Sequence, residues 1–125
     1  PWLDRLATEH DIHLEIVTGI MPIGQSDAVK FGALIALHDD WQLGILHRAT
    51  SLSGSLVLGL GFVSMKIDSN AMFDLAFLDE LWQNETWGTD FETADRHGFL
   101  RAELQDAARF LALLADQSVP EKAKI

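Results

Sequence analysis

The sequence contains no cysteine and has few basic residues. Without cysteine, the chain can form neither disulfide bonds nor thiolate metal sites, which excludes a secreted disulfide-stabilised scaffold and favours a reducing compartment. Nine Lys and Arg stand against 19 Asp and Glu, so the formal net charge is −10. Phosphate backbones and anionic lipids are bound by clustered positive charge. We therefore expect no nucleic-acid partner and no attachment to an anionic membrane.

The sequence also lacks a hydrophobic run long enough to cross a bilayer. A spanning helix needs about 20 apolar residues, whereas the most apolar stretch, residues 52–65, is shorter and contains serine and glycine. No membrane insertion is expected. This stretch favours a core helix instead, and we predict one long buried helix from Trp41 to Val63, capped by Asp39 or Asp40.

Three glycines inside this predicted helix lower its helix propensity by roughly 1 kcal/mol each relative to alanine. Close approach of a neighbouring helix is the expected compensation, and a hinge is the alternative. The three positions are Gly54, Gly59 and Gly61.

The rest of the chain is dominated by helical periodicity of 3.6 residues. Only residues 12–17 alternate with a period of two, which predicts a short strand or extended segment. The predicted fold is mainly α, a small bundle of four or five helices around the long buried one, forming a single helical domain over residues 1–125. A short first helix is predicted from the apolar face formed by Trp2, Leu3, Leu6 and Ala7. Further helices are predicted at about residues 26–38, at Asp68–Thr86 and at about Thr93–Gln117. The tail after Val119 is expected to be frayed.

The segment LDELWQNETWG, residues 78–88, combines two adjacent acids, two tryptophans and a closing glycine. Trp82 and Trp87 are costly to expose, so we predict a helix end packed into the core. Gly88 is expected to end the helix in a left-handed conformation.

The predicted Asp68–Thr86 helix has two apolar faces on a helical wheel. One face places Asp79 at the edge of a stripe that includes Leu75 and Trp82, and we expect this face to be buried. The opposite stripe consists of Phe73, Phe77 and Leu81. Either the helix is sandwiched between neighbours, or this second stripe is a partly exposed surface for another domain or a client protein.

Catalytic patterns are weak in this sequence. His10 and His13 are the only close histidine pair, and a metal site needs three or four converging ligands. The serines of residues 51–56 lack the frame that exposes a nucleophile. We therefore predict no enzyme, no catalytic residue, no metal and no cofactor. The alternative is a small helical enzyme or metal-binding domain that uses His10, His13 or the acids near Asp79.

Four segments, in this order and spacing, resemble the C-terminal helical domain of the Atp-twelve family, in particular its bacterial members. They are PWLDRLATEH at the start, GIMPIGQ at 19–25, SLSGSLVLGL at 51–60 and LDELWQNETWG at 78–88. The resemblance implies a non-catalytic assembly chaperone that binds the unassembled α subunit of the F-type ATP synthase. It implies a bacterial cytoplasmic location, or the mitochondrial matrix for a eukaryotic protein.

The family also has an N-terminal, strand-rich domain that these residues do not contain. The resemblance therefore implies that the chain is the C-terminal part of a longer two-domain protein, with its own N-terminal domain as a further partner.

Within the last segment, the resemblance implies a functional role for the acids Asp79 and Glu80. They precede the residues that match the family motif, which are Trp82, Gln83, Trp87 and Gly88. The wheel predicts that Asp79 is buried and paired with a cation such as Arg48 or Arg101, whereas Glu80 stays solvated until a client supplies a positive charge. The predicted client-binding residues are Glu80, Asp79, Phe73, Phe77, Leu81 and Gln83.

Overall fold

The computed structural model describes residues 1–116 and contains only helices and irregular segments among them. The mainly α class predicted from the sequence is confirmed. Seven helices follow one another within these 116 residues: α1 (Trp2–His10), α2 (Ala28–Ile35), α3 (Asp40–Ser53), α4 (Leu56–Val63), α5 (Ser69–Ala76), α6 (Leu78–Trp87) and α7 (Phe91–Asp116). The predicted frayed tail after Val119, and Gln117 at the predicted end of the last helix, lie outside the described residues.

The chain divides into two compact units, and the boundary falls within α3, after Gly44. The first unit contains α1, α2 and the start of α3. In α1, Leu6 is buried as its apolar spacing predicts. Asp11 ends α1 in a left-handed conformation with φ of 52°, which aspartate tolerates better than most residues.

The predicted strand or extended segment at residues 12–17 is not found as a strand in the described structure. No neighbouring strand satisfies its backbone, and side chains do so instead. The backbone N–H of His13 donates to the Asp27 carboxylate at 2.8 Å, and that of Glu15 donates to Oε1 of Gln25 at 2.9 Å. Ile12 alone is fully buried, whereas Ile16 is 77% exposed. The alternation in the sequence therefore does not correspond to a strand. Ile12 is the one residue of this segment that is buried, and the rest is an irregular loop.

The predicted single helix from Trp41 to Val63 is wrong, because the chain breaks between α3 and α4. Gly54 has φ of +69°, a left-handed conformation that ends α3. Ser55 then begins α4, and its hydroxyl accepts a hydrogen bond from the backbone N–H of Leu58 at 3.3 Å. Trp41, predicted to face inward, is 65% exposed.

The start of α3 agrees with the predicted aspartate cap. Asp39 Oδ1 accepts a hydrogen bond from the backbone N–H of Gln42 at 2.8 Å, and the backbone N–H of Asp39 donates to Gln42 Oε1 at 3.0 Å. This reciprocal pair satisfies two backbone donors that the helix itself leaves unpaired.

The core of the second unit is built by α4, α5 and α7, with α5 also packed against α6. Gly59 permits the close approach of α4 to α3, because a Cβ at this position would collide with Oγ1 of Thr50. The expected role of a glycine in helix packing is therefore confirmed for Gly59. The predicted last helix is confirmed as well, and its buried stripe runs along His97, Leu104 and Leu111.

Candidate functional site

The helix predicted from Asp68 to Thr86 is two helices, α5 and α6, separated at Phe77. Phe77 has φ of −113° and ψ of 23°, outside the helical range, and it acts as the C-cap of α5 and the N-cap of α6. Asp68 begins α5 by accepting the backbone N–H of Ala71 at 2.8 Å. A wheel drawn through Phe77 therefore assigns the residues of α6 to the wrong faces.

The stripe predicted to be partly exposed is mostly core. Phe73 is 0% exposed and Phe77 is 8% exposed, while Leu81 is half-buried. The rings of Phe73 and Phe77 lie 4.8 Å apart, and the imidazole of His97 meets the Phe73 ring nearly edge-on at 5.2 Å. Phe73 and Phe77 are thus unavailable to a client, and their role is to anchor α5 and the start of α6 against α7.

Glu80 lies where this aromatic core meets the surface. Its carboxylate accepts hydrogen bonds from the Arg96 guanidinium and from Nε2 of the buried His97, the latter at 2.9 Å. An ionised carboxylate can only accept, so Nε2 of His97 carries the proton. The hydrogen bonds from His97 and Arg96 hold the pKa of Glu80 below its usual range. Glu80 is therefore an ionised link between α6 and α7.

The predicted environments of the two acids are thus reversed. Asp79 is exposed, and no ion-pair partner is found for it within residues 1–116. The cations proposed as its partners are engaged elsewhere: Arg48 pairs with Glu103, and Arg101 pairs with Asp74 at 3.1 Å. The half-buried Glu80 has the structural partners instead.

The tryptophans are also placed differently from the prediction. Trp82 is 61% exposed and Trp87 is 65% exposed, so the helix end is not packed into the core. Their ring centroids lie 6.5 Å apart with the planes inclined at 50°. Gly88 does end α6 as predicted, with φ of 87°, but its ψ of 164° places it in an extended conformation open essentially to glycine alone.

A surface groove of about 470 Å³ lies at the junction of α6 and α7. Of the predicted site residues, it brings together Trp82, Trp87, Gln83 and Gly88. The remaining lining residues are Asn84, Asp90 and Thr93. Asp90 accepts the backbone N–H of Thr93 at 2.7 Å at the start of α7, and this bond lowers the pKa of Asp90. The groove therefore combines two exposed indoles with a carboxylate whose ionised form is favoured.

His97 and Arg96 are the site residues that the sequence reasoning missed. A signal was present for His97, which lies seven residues before Leu104 and fourteen before Leu111 on the buried stripe of α7. A histidine on such a stripe needs a buried hydrogen-bond partner. Glu80 supplies that partner, but only the break at Phe77 brings it into position.

The arrangement of the histidines does not favour the metal-binding alternative. His13 contacts Asp11 at 3.3 Å and His10 contacts Glu9 at 4.0 Å, each as an ordinary surface pair. Residues 1–116 contain no group of three or more histidine, cysteine, aspartate or glutamate side chains arranged to hold a metal ion. Nor does any helix in this range have the length and apolarity needed to cross a membrane.

The described residues are thus mainly helical, and in the second unit a polar cluster joins α6 to α7 while exposed indoles line an open groove. The crystal structure of Atp12 from Paracoccus denitrificans resembles it with a TM-score of 0.81 and 35% sequence identity, over 90% of this chain and 49% of that chain. An aspartate-to-lysine mutant of the same Paracoccus protein gives a TM-score of 0.81 and 34% identity, with the same coverage. The crystal structure of a protein from Agrobacterium tumefaciens, described as a proposed chaperone, has a TM-score of 0.77 and 29% sequence identity, over 89% of this chain and 42% of that chain.

The chain belongs to the Atp12 family, the Atp-twelve family that its motifs resemble. It spans about half the length of these relatives. No protein-family model and no curated protein sequence matches it.

Proposed function

We propose that this chain is a non-catalytic chaperone domain that binds the unassembled α subunit of the F-type ATP synthase and promotes assembly of the catalytic sector. The observation that carries the proposal is its likeness to Paracoccus Atp12, at 35% identity over 90% of the chain. The chaperone role proposed for the Agrobacterium relative supports the same class. The site in the described residues fits a binding protein better than an enzyme, because Glu80 is paired structurally with Arg96 and His97 and Asp90 is the one charged side chain among those that line the groove.

The exposed side of α6 is the surface that we assign to the client. Leu78 is 63% exposed, and the neighbouring Asp79 and Gln83 are exposed as well. An exposed apolar patch with a polar rim is typical of a protein-binding surface. Of the client-binding residues predicted from the sequence, Asp79 and Gln83 remain candidates on this surface, whereas Phe73 and Phe77 do not.

A chaperone must hold its client and later lose it to the proper partner. The exchange is driven by the difference between the binding free energy of the client for the chaperone and that for its proper partner. No nucleotide is therefore required. The α subunit in isolation would expose the surface that the β subunit later covers, and the chain would shield this surface until assembly. Its location would then be the bacterial cytoplasm or, for a eukaryotic protein, the mitochondrial matrix.

Co-elution of the purified chain with isolated α subunit on size-exclusion chromatography tests the proposal. We expect a complex with α and none with isolated β subunit. Leu78→Asp should weaken this complex at least tenfold, because it replaces an apolar contact with a charge. Leu113→Asp is the matched control, since Leu113 is 55% exposed on α7, and it should bind like the wild type. Failure of the wild-type chain to bind α, or equal binding of β, would refute the proposal.

A further inference from the structure

The groove at the junction of α6 and α7 has the chemistry of a site for a cationic side chain. Trp82 and Trp87 expose more than half of their surface, and their rings are inclined at 50° rather than stacked face to face. The face of an indole attracts a cation through its quadrupole, and tryptophan does so better than the other aromatic residues. Asp90 contributes a carboxylate to the same groove.

The sequence around the groove is mostly acidic. Residues 79–95, which include the end of α6 and the start of α7, contain six acids and no Lys, Arg or His. Within residues 1–116, Glu80 is the one acid of the six that is paired with cations, through Arg96 and His97. The others, including Glu85 and Glu92, are exposed. A positive segment approaching this junction would therefore meet complementary charge before it reached the indoles.

We propose that this groove binds an arginine- or lysine-bearing segment of the client protein, with the cation stacked on Trp82 or Trp87 and held by the carboxylate of Asp90. Gln83 and Asn84 offer amide groups that can hydrogen-bond the backbone of an extended segment. Identification of the client as the α subunit rests on the proposed function, whereas the preference of the groove for cations does not.

The direct test uses a short peptide, acetyl-Gly-Arg-Gly-Arg-Gly-amide, and its counterpart with glutamate in place of arginine. The indole N–H signals of the tryptophans are followed by nuclear magnetic resonance during titration. We expect the arginine peptide to shift the signals of Trp82 and Trp87 and to leave that of Trp41 in place. The glutamate peptide should shift none of them. Rising salt should weaken the binding of the arginine peptide.

Two double variants test separately the indoles that line the groove and the acids that neighbour it in the sequence. Trp82→Ala with Trp87→Ala should weaken peptide binding at least tenfold, and the exposure of both rings predicts that this variant folds, which circular dichroism checks. Glu85→Gln with Glu92→Gln keeps both indoles and should weaken binding severalfold. Trp41→Ala, which removes an equally exposed indole, should bind the peptide like the wild type.

Equal binding of the two peptides, or unchanged binding by both double variants, would overturn the proposal. The same tryptophan variant assayed with isolated α subunit separates this proposal from the proposed function. If the wild type and the variant bind α equally, the groove is not the client site while the chaperone function stands. If the wild type does not bind α, the chaperone function fails and the peptide titration still decides the chemistry of the groove.

Discussion

At the scale of single residues, neighbouring acids in α6 differ sharply in their effect on stability. Reversal of charge at Glu80 would place a lysine against Arg96 and deprive the buried His97 of its hydrogen-bond acceptor. A buried donor that loses its acceptor costs about 1–3 kcal/mol. We therefore expect Glu80→Lys to lower the free energy of unfolding by that amount, as measured by urea denaturation.

Asp79→Lys is the matched control for this prediction. Asp79 is exposed, so its reversal should change the free energy of unfolding by no more than about 0.5 kcal/mol. The reverse order, with Asp79→Lys the more destabilising variant, would contradict the structure. It would instead support the burial predicted by the helical wheel. Loss of client binding in Glu80→Lys would have to be compared with its loss of stability before Glu80 is assigned to the client surface.

At the scale of helices, the packing of α4 against α3 depends on the absence of a side chain at Gly59. A Cβ there would collide with Oγ1 of Thr50 and lie 3.2 Å from Cδ1 of Leu46. Overpacking of this kind typically costs 1–3 kcal/mol, which exceeds the gain of roughly 1 kcal/mol in helix propensity from glycine to alanine. We expect Gly59→Ala to be destabilising in thermal or urea unfolding.

Gly98 gives the control for this prediction, because it lies within α7 and a Cβ there would meet nothing within 4 Å. Gly98→Ala should leave stability unchanged or raise it by up to about 1 kcal/mol. Equal effects of the two substitutions would show that the contact between α3 and α4 is not tight at Gly59.

Helical periodicity was sufficient to predict the class of the fold, the last helix and the aspartate cap of α3, because these depend on local spacing. It could not predict the two interruptions. Gly54 is one of three glycines in an apolar stretch, and only its left-handed backbone distinguishes it from Gly59. Phenylalanine, the residue at position 77, is not a type that indicates a helix break, as glycine or proline would be. Its departure from helical geometry rotates α6 relative to α5, which turns Glu80 toward α7 and exposes Asp79 and Trp82.

At the scale of the whole molecule, both units expose large apolar side chains. In the first unit, Ile20 is 100% exposed and Val29 is 85% exposed; in the second, Phe91 is 90% exposed and Phe99 is 77% exposed. Where such side chains adjoin one another, they form the apolar patches that mark protein-binding sites. The whole-molecule charge of −10 opposes self-association and selects partners with positive charge. A chaperone domain needs both properties, since it must stay in solution and still attract a client.

We propose that the chain holds the α subunit and yields it to the β subunit. The most direct measurement is a competition in which a preformed complex of the chain with α is titrated with isolated β while free chain is quantified by size-exclusion chromatography. We predict that free chain rises in proportion to the α–β complex formed. Retention of the chain on α in the presence of excess β, or absence of the starting complex, would contradict the account.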